Sequence, residues 1–492
     1  MQILISLAAQ QKGFFISLGC KLAGLGHDVT FAARDPDVEA LILRLAPEFS
    51  SADILRVEHL AGADPINDVI HHALEVEEKY GVRLSMLLSY DRALGRGYIF
   101  NADRYPPIGR AKWGHERKLA YILKQFSNAE ALVDRCSPDL IIGHQKDIVL
   151  YTVANYRGTP YLTPASVKLG HRFIWSDDPY ITSTDFIQAI HQNVGRSLNE
   201  LPPAENYVQE SGSKFRHAQL SFTWRRSVLD AYRIGVQDLK KVIRHTRKKE
   251  SYPLFGWLPS VFRRTHNYRF FLREGVRPSD LAERRAVYVP LHLEPEIALL
   301  ALSPEFSNSM EMIAWISKSL PADTIVVVKE QPFSFGVRSK RYYEQLIQIG
   351  NVLLAHPETT SHEWIQATNV TATITGTAAI EAVAFGRPVL SFGRHQAVNL
   401  LPTVRLAENY ESAKCGLDDL LKLDPADTVF ELSRRALNAA QISCSFEMPE
   451  FAKAYSSAKL ESGLAEKAFV DLLRLCPSLA VSEKSLGISS HS

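Results

Sequence analysis

The strongest chemical signal in the sequence is Thr375-Gly376-Thr377, a turn of small residues between a predicted strand and a predicted helix. Free backbone N–H groups and the helix dipole favour an anion at such a turn, most often a phosphate. Gly376 lets the backbone approach a ligand closely, and the two threonines add hydroxyl donors. Glu381 follows one helical turn later, where its carboxylate could accept hydrogen bonds from ribose hydroxyls. The alternative is an ordinary tight turn followed by a surface glutamate.

Two further groups of polar residues directly follow predicted buried strands. Lys329, in the run KEQP at 329–332, could neutralise a phosphate, although a salt-bridged strand end would look the same. His292, Glu294 and Glu296 lie within five residues and could supply general acid or base catalysis, or orient a sugar. Their spacing does not support a metal site, and we predict no cofactor.

Weaker candidates occur in both halves of the chain. Ser361 is predicted to cap a short helix, where it and His362 could contact phosphate or base. The run DRALGRGY at 91–98 concentrates charge and glycine in a loop that could hold an acceptor or form a surface network. The acceptor-side candidates are Gly13, Asp91, Arg92, Arg96, His144 and Arg172.

Alternating strands and helices would position these residues. In the first half we predict strands at 2–8, 29–33, 54–57, 138–144 and 158–163, and helices at 13–25, 66–80 and 111–135. The run AAQQKG after the first strand is not a GxGxxG fingerprint, so dinucleotide binding is not indicated. In parallel sheets, ligands bind beyond the carboxyl ends of the strands, which is where the candidate residues fall.

A second, cleaner series begins near residue 286. It predicts strands at 286–291, 324–328, 352–354, 370–374 and, as the last one, 389–392, with helices at 309–320, 339–349, 361–368 and 378–385. The predicted fold is therefore α/β, with two Rossmann-like domains that face a cleft. The expected divisions are an N-terminal Rossmann-like domain (1–200), a basic, aromatic-rich linker or insertion (201–285), a second Rossmann-like domain (286–425), closing helices (426–477) and a disordered tail (478–492).

Composition narrows the class of protein. The chain has 492 residues, of which 46% are hydrophobic and 22% charged, so wholesale disorder is excluded. The five cysteines form no disulfide or zinc pattern. No apolar run reaches the roughly 20 residues of a membrane helix, and residues 3–9 are too short for a signal peptide. We expect a cytoplasmic protein, either free or peripheral at the inner membrane.

The segment 213–285 is strongly basic, although the net charge of the whole chain is close to zero. It holds eighteen Lys or Arg against six Asp or Glu, with aromatic residues between them. A solvated helical bridge is one interpretation, and a surface for anionic lipid or an acidic glycan is another. Nucleic acid is the least favoured partner because no recognition motif accompanies the charge.

Four motifs in the second half resemble the bacterial capsule polysaccharide synthesis family. They are YVPLHLEPE (288–296), VVKEQP (327–332), SHEWI (361–365) and TITGTAAIEAVAFGRPVLSFG (373–393). Members include transferases of Kdo, an acidic eight-carbon sugar, from its CMP-activated form. The resemblance implies a GT-B glycosyltransferase whose C-terminal domain binds the nucleotide sugar. The first half is similar only through its first βαβ unit and the DRALGRGY loop.

The resemblance extends to individual residues. His292, Glu294 and Glu296 match the family's LHxQPE stretch, with Glu294 in place of the usual Gln. Lys329 and Gln331 match its KEHP stretch, with Gln331 in place of the usual His. The threonine-flanked glycine and Glu381 match without change.

The resulting hypothesis is a glycosyltransferase that moves an acidic sugar from a CMP-linked donor to a surface polysaccharide or glycolipid. His292, Glu294 and Glu296 would face the reacting carbon. The donor-binding residues would be Lys329, Gln331, Ser361, His362, Thr375, Gly376, Thr377 and Glu381. One alternative on the same fold is a nucleotide-sugar 2-epimerase. Another is a non-catalytic scaffold of envelope assembly that docks through the basic segment.

Overall fold

Two β-sheets, built mainly of parallel strands, organise the chain, each in its own unit. The computed structural model describes residues 1–7, 11–33, 36–57, 68–98, 109–145, 147–180, 183–205, 222–244, 253–282, 284–294, 297–448, 463 and 465–479. The first unit comprises residues 1–87, 119–186 and 441–492, and the second comprises 88–118 and 187–440. Each unit thus combines separate chain segments, whereas the sequence predicts contiguous domains.

The sheet of the first unit has seven strands. They are β1 (Gln2–Ser6), β2 (Asp28–Ala33), β3 (Ile54–Arg56), β4 (Leu140–Ile142), β5 (Tyr161–Ser166), β6 (Arg172–Ser176) and β13 (Phe446–Glu447). Their order is β13-β6-β5-β4-β1-β2-β3. Strands β1 to β5 are parallel, while β6 runs antiparallel to β5 and β13 antiparallel to β6.

The buried run ILIS of β1 explains its central place in this sheet. Its last four residues are buried, which suits a parallel strand covered by helices on both faces. The helices assigned mainly to this unit are α1 (Lys12–Gly24), α2 (Pro36–Leu45), α3 (Val69–Tyr80), α4 (Leu84–Ser89), α5 (His115–Cys136), α6 (Ile148–Arg157) and α17 (Glu466–Leu475). The rings of Phe14 and Phe446 stack in its core, so the chain's C-terminal part completes this unit.

The sheet of the second unit has six parallel strands. They are β7 (Arg285–Pro290), β8 (Thr324–Lys329), β9 (Val352–Leu354), β10 (Val370–Thr373), β11 (Val389–Ser391) and β12 (Val404–Leu406). Their order is β12-β11-β10-β7-β8-β9. The chain starts in the middle at β7, moves outward to β9, then returns beside β7 and moves outward on the other side. This doubly wound order creates a switch point between β7 and β10, where ligands bind in such sheets.

Ten of the described helices belong wholly or mainly to the second unit. They are α7 (Thr184–Val194), α8 (Trp224–Ile243), α9 (Leu258–Glu274), α10 (Ile297–Leu302), α11 (Ser309–Ser319), α12 (Lys340–Ile347), α13 (Ser361–Ala367), α14 (Thr377–Ala384), α15 (Tyr410–Leu420) and α16 (Thr428–Ser443). The first unit shows the same winding, with its own switch point between β1 and β4. The predicted α/β fold with two Rossmann-like sheets is therefore confirmed.

Some predicted elements need correction. The strand near 389–392 is not the last one, because β12 and β13 follow it. Within the range of the predicted closing helices (426–477), the structure describes Thr428–Ser443 and Glu466–Leu475, and residues 480–492 of the predicted tail lie outside the described residues. In the basic segment, α8 and α9 are described, whereas 206–221 and 245–252 are not. No helix in the described part of the chain is long and apolar enough to cross a membrane.

Candidate functional site

The switch point of the second unit brings together the ends of β7 and β10. His292 lies two residues beyond β7, and its ring Nε2 is 3.2 Å from the amide nitrogen of Ile374 and 3.4 Å from that of Thr375. Because amide N–H groups only donate, Nε2 is the acceptor and the proton of the neutral ring is on Nδ1. Burial lowers the pKa of His292 to about 4, and the charge of Arg338 adds to this effect. His292 therefore holds the start of the threonine-glycine turn as a neutral imidazole.

The turn at 375–377, called the TGT turn below, leads directly into α14. Gly376 is the residue before the helix, and its amide donates to the Thr373 hydroxyl oxygen at 3.2 Å. A Cβ at Gly376 would lie 2.8 Å from that oxygen and 3.2 Å from Cε1 of His292, so close packing requires glycine here. The Thr375 hydroxyl is buried and has no hydrogen-bond partner among the described residues. Together with the unpaired N–H groups of a helix start, it is a free polar group at this turn.

Lys329 ends β8, the strand next to β7. Its side chain is buried, and Nζ has no hydrogen-bond partner within the described part of the chain. Burial lowers the pKa of Lys329 to about 8, although the Glu330 and Glu363 carboxylates oppose this shift. A buried amine without an acceptor is costly for the folded protein. An anionic ligand at this edge would supply the missing acceptor.

A buried ion cluster, formed by Arg338, Glu330 and Glu294, lies beneath this edge. The Arg338 guanidinium donates to both oxygens of Glu330, at 2.8 and 2.7 Å, and lies 3.2 Å from the carboxylate of Glu294. It also donates to the backbone carbonyl of His292 at 2.6 Å. The hydroxyls of Ser309 and Tyr343 donate to Glu294 and Glu330 respectively. The cluster thus ties the ends of β7 and β8 together.

The ion cluster also explains what two predicted residues do. Glu294, predicted as catalytic, is buried and bound to Arg338 and Ser309, although its Oε2 atom has no hydrogen-bond partner among the described residues. Gln331 precedes a 3₁₀ turn (Pro332–Gly336), and its backbone amide donates to Glu330 at 2.7 Å. Glu296 lies outside the described residues. Arg338 was not predicted from the sequence, where it is a single cation in the largely apolar run PFSFGVR.

Glu381 lies on the second turn of α14 and is only 4% exposed, so the alternative of a surface glutamate is wrong. Burial raises the pKa of its carboxyl, and the neighbouring His362 opposes that shift. The Nε2 atom of His362 is 3.7 Å from the Glu381 carboxylate. The structure therefore brings these two predicted donor-site residues together.

The predicted capping role of Ser361 is wrong. The cap of α13 is Thr360, whose hydroxyl accepts from the Glu363 amide at 3.1 Å, while the Glu363 carboxylate accepts from the Thr360 amide. This reciprocal pair is a capping box, and Ser361 is the first residue inside the helix. The sequence TSHE at 360–363 carries that signal one residue earlier than we predicted.

The loop after β11 supports the TGT turn and was missed in the sequence. The side-chain amide of Gln396 donates to the Ile374 carbonyl at 2.6 Å and to the Ser391 hydroxyl at 2.9 Å. A Cβ at Gly393 would lie 2.3 Å from the same Ile374 carbonyl, so the loop and the turn are in close contact. The available signal was again a set of polar residues directly after a strand.

The acceptor-side candidates are divided between the two units. Gly13, in the first turn of α1, and His144, just beyond β4, belong to the carboxyl-end edge of the first sheet. Arg172 begins β6 and pairs with Glu447 at 3.6 Å. Asp91, Arg92 and Arg96 belong to the second unit.

The Asp91 loop has its own internal structure. The Asp91 carboxylate accepts from the backbone amides of Ala93 at 2.6 Å and Leu94 at 2.9 Å, so this side chain orders its own turn. Arg92 is half-buried beside it, and Arg96 begins a 3₁₀ turn (Arg96–Tyr98). A role of these residues in holding an acceptor stays a prediction.

A buried pair at the switch point of the first unit was also missed. The Ser6 hydroxyl, at the end of β1, donates to the Asp147 carboxylate at 2.6 Å, just before α6 begins. The Tyr161 hydroxyl donates to the His144 carbonyl at 3.0 Å. Within the described ranges, neither unit has a group of three or more His, Cys, Asp or Glu side chains arranged to hold a metal ion.

Comparison with known proteins adds one informative match. Residues 263–397 match a family model described as capsule polysaccharide biosynthesis protein. The matched range contains β7 to β11, the ion cluster and the TGT turn. The resemblance to this family predicted from the motifs is confirmed over these residues. No curated protein matches the chain.

Similar solved structures include transferases and an epimerase. The beta Kdo 2,7 transferase of Thermosulfurimonas dismutans KpsC is 12% identical, covers 71% of this chain and 89% of its own, and has a TM-score of 0.31. The UDP-GlcNAc 2-epimerase from Neisseria meningitidis, bound to UDP-GlcNAc, is 12% identical, covers 90% of this chain and 98% of its own, and has a TM-score of 0.27. These values are too low to carry an argument about function.

Proposed function

We propose that this chain is a glycosyltransferase of capsule polysaccharide biosynthesis. In this proposal it moves an acidic sugar, Kdo or another nonulosonic acid, from a CMP-linked donor to a glycan or glycolipid acceptor. The family match over residues 263–397 supports a part in capsule synthesis. The structural observation that carries the proposal is the buried, unpartnered amine of Lys329 at the same sheet edge as the TGT turn.

The free polar groups at this edge suit a phosphate. The Lys329 ammonium and the Thr375 hydroxyl lack hydrogen-bond partners among the described residues, and α14 begins at Gly376 without a side-chain cap. The phosphodiester of a CMP-sugar provides oxygen acceptors and a negative charge for them. We assign Lys329 and the TGT turn to this phosphate, and Glu381 with His362 to the ribose. Gln331 and Ser361 remain candidates for further contacts with the donor.

The transfer itself can be written with these groups. The acceptor hydroxyl oxygen bonds to the anomeric carbon, the carbon–oxygen bond to CMP breaks, and CMP leaves with the electron pair. The Lys329 ammonium and the helix start stabilise the charge that develops on the departing phosphate. His292 holds the TGT turn through Nε2 and keeps its Nδ1 proton available as a donor. Glu296 stays the candidate for accepting the acceptor's proton, and Glu294 stays the second candidate carboxylate.

The first experiment measures CMP binding to the full chain by calorimetry. We expect Lys329→Met to weaken CMP binding by about 10- to 100-fold, because a charge-assisted hydrogen bond contributes ~1.5–3 kcal/mol. We also expect the wild-type affinity to fall as the pH rises through about 8, where the free Lys329 ammonium loses its proton. The phosphate of CMP is already fully ionised there, since its second pKa is about 6. The variant should lack this pH dependence.

Lys340→Met is the matched control. Lys340 is half-exposed and pairs with Glu344 one turn along α12, so its loss should leave CMP affinity unchanged. Equal CMP affinity in the wild type and Lys329→Met would contradict the site, and so would a wild type that binds no CMP, as a pure scaffold would.

A nucleotide-sugar 2-epimerase would also use such a site to bind the phosphates of its substrate. Incubation with UDP-GlcNAc alone tests it, because an epimerase needs no acceptor and would convert this substrate. We expect no conversion. The cytoplasmic and peripheral location also remains part of the proposal.

A further inference from the structure

Helix α8, Trp224–Ile243, presents three chemically different faces. One face packs on α9, where the Ser227 hydroxyl is 2.6 Å from that of Thr265 and Arg264 pairs with Asp230 at 2.8 Å. Ser227 and Asp238 on this face are buried. Among the described residues, the helix therefore contacts the rest of the second unit through this side, and its other two sides are exposed.

The second face is an apolar stripe. Val228, Tyr232, Leu239 and Ile243 are spaced by four or seven residues, which places them on one side of a helix. They are 59%, 71%, 53% and 66% exposed, respectively. With Trp224, Leu229 and Val242, α8 carries seven of the eighteen large hydrophobic side chains that are exposed among the described residues. Single exposed hydrophobic residues are ordinary, but a continuous patch marks an interaction surface.

The third face is a basic stripe beside the apolar one. Arg226, Arg233, Lys240 and Arg244 follow one another at intervals of seven, seven and four residues, so they share the adjacent side. All four are exposed. Asp230 offsets them only in part, because this single carboxylate lies 3.2 Å from Arg226, 3.7 Å from Arg233 and 2.8 Å from Arg264 of α9. Asp238 is buried and pairs with Lys241 at 2.8 Å.

We propose that α8 lies on the surface of an anionic lipid bilayer. Its apolar stripe would enter the boundary between headgroups and acyl chains, and its basic stripe would contact the negative headgroups. A bilayer offers an apolar layer directly beneath an anionic one, which matches two parallel stripes of these chemistries. A second copy of this chain is disfavoured as the occupant because pairing two such helices would bring like charges together. The proposal concerns a surface and does not depend on the reaction proposed above.

The test uses the full chain and vesicles of neutral phosphatidylcholine, with or without 30% phosphatidylglycerol. We expect co-sedimentation only with the anionic vesicles, and weaker binding as salt rises. Val228→Gln/Leu239→Gln should reduce the bound fraction at least tenfold, because two apolar anchors are lost. The matched control is Ile70→Gln/Leu74→Gln, since these side chains are similarly exposed on α3. The control should bind like the wild type.

Charge reversal tests the basic stripe separately. Lys240→Glu/Arg244→Glu should also reduce binding to anionic vesicles at least tenfold, whereas Lys414→Glu/Lys422→Glu, exposed on and beside α15, should not. Unchanged binding by either α8 variant overturns the proposal, as does equal wild-type binding to neutral vesicles. A wild type that ignores vesicles but forms a dimer broken by Val228→Gln/Leu239→Gln also overturns it, in favour of a second copy. CMP affinity of all these variants should match the wild type, which separates this outcome from the fate of the proposed reaction.

Discussion

The two sheets share one winding order, but their switch points contain different chemistry. In the second unit, His292 binds the backbone of the TGT turn, Lys329 is buried without an acceptor, and a buried ion cluster lies beneath them. In the first unit, the described residues at the equivalent place show a Ser6–Asp147 hydrogen bond and a tyrosine bonded to a backbone carbonyl. Winding order therefore determines where a site can form, and the side chains at the strand ends determine what it can bind.

The difference between the two switch points also has an energetic consequence, because the second unit contains buried charges. Ions removed from water are tolerated only when they are paired, and Lys329 lacks such a partner in the described structure. Functional sites are the places where proteins retain such unfavourable groups. The comparison therefore favours the proposal that the switch point of the second unit binds a charged ligand, and the following changes test it.

Arg338→Met should have the largest effect on stability. It would leave the buried carboxylates of Glu330 and Glu294 without their cation, at a cost of ~3–5 kcal/mol in the free energy of unfolding. Denaturant titration of the full chain measures this loss. Arg394→Met is the control, because Arg394 is exposed and its pair with Glu408 should contribute no more than ~1 kcal/mol. A loss at Arg338 as small as that at Arg394 would show that the cluster does not hold this edge together.

The pH dependence of stability should show the role of His292. Its folded-state pKa of about 4 lies below the ordinary value of 6.5, so the unfolded chain takes up the proton first as the pH falls. As the pH falls from 6.5 to 4, His292 should therefore lower the free energy of unfolding by about 3 kcal/mol in total. Above pH 7 it should have no such effect. Unfolding measured across that range, in the wild type and in His292→Gln, isolates the contribution by difference.

The glutamine variant is chosen because its side-chain oxygen can still accept from the Ile374 and Thr375 amides but does not titrate. We expect it to keep most of the neutral-pH stability, whereas His292→Leu should lose ~1–3 kcal/mol for amides left unpaired. Identical pH profiles for the wild type and His292→Gln would mean that the imidazole is not buried as a neutral acceptor.

The smallest effects should come from alanine at two glycines that follow switch-point strands. At Gly143 a Cβ would lie 2.1 Å from the Tyr161 hydroxyl and displace it from the His144 carbonyl, so we expect a stability loss of ~1–3 kcal/mol. At Gly376 the nearest atom is 2.8 Å away, so we expect ~1 kcal/mol. Only Gly376→Ala should also weaken CMP binding in calorimetry. A larger CMP effect at Gly143 would reverse the assignment of the two switch points.

Strand positions could be predicted from the sequence because buried parallel strands are short apolar runs between turn residues. Thr324–Lys329 and Gln2–Ser6 show this clearly, and the polar residues that follow such runs indicated the correct edge of the second sheet. Strand β6 and the two-residue β13 were missed. They pair antiparallel across 270 residues of sequence, and no local pattern encodes that contact.

The sequence predicted which residues lie at the candidate site better than it predicted the contacts between them. His292, Lys329 and the TGT turn were all identified, but the binding of His292 to backbone amides depends on two strands that are 80 residues apart in sequence. Arg338 was missed for the same reason, since its partners come from two separate segments, His292 with Glu294 and Glu330. The capping box at Thr360 was a local signal, and our prediction placed the cap one residue too late, at Ser361.

The late pairing of β13 with β6 has a consequence for synthesis on the ribosome. Residues 187–440 are all made before Phe446 and the helix Glu466–Leu475, which belong to the core of the first unit. The nascent first unit therefore remains incomplete while more than 250 residues are synthesised. During that time Phe14 and Trp175 lack the ring of Phe446, which packs against both in the folded protein. Domains generally fold in the order in which they are synthesised, the N-terminal one first. In this chain the synthesis of the first unit begins first, but that unit can be completed only after the second unit has been synthesised.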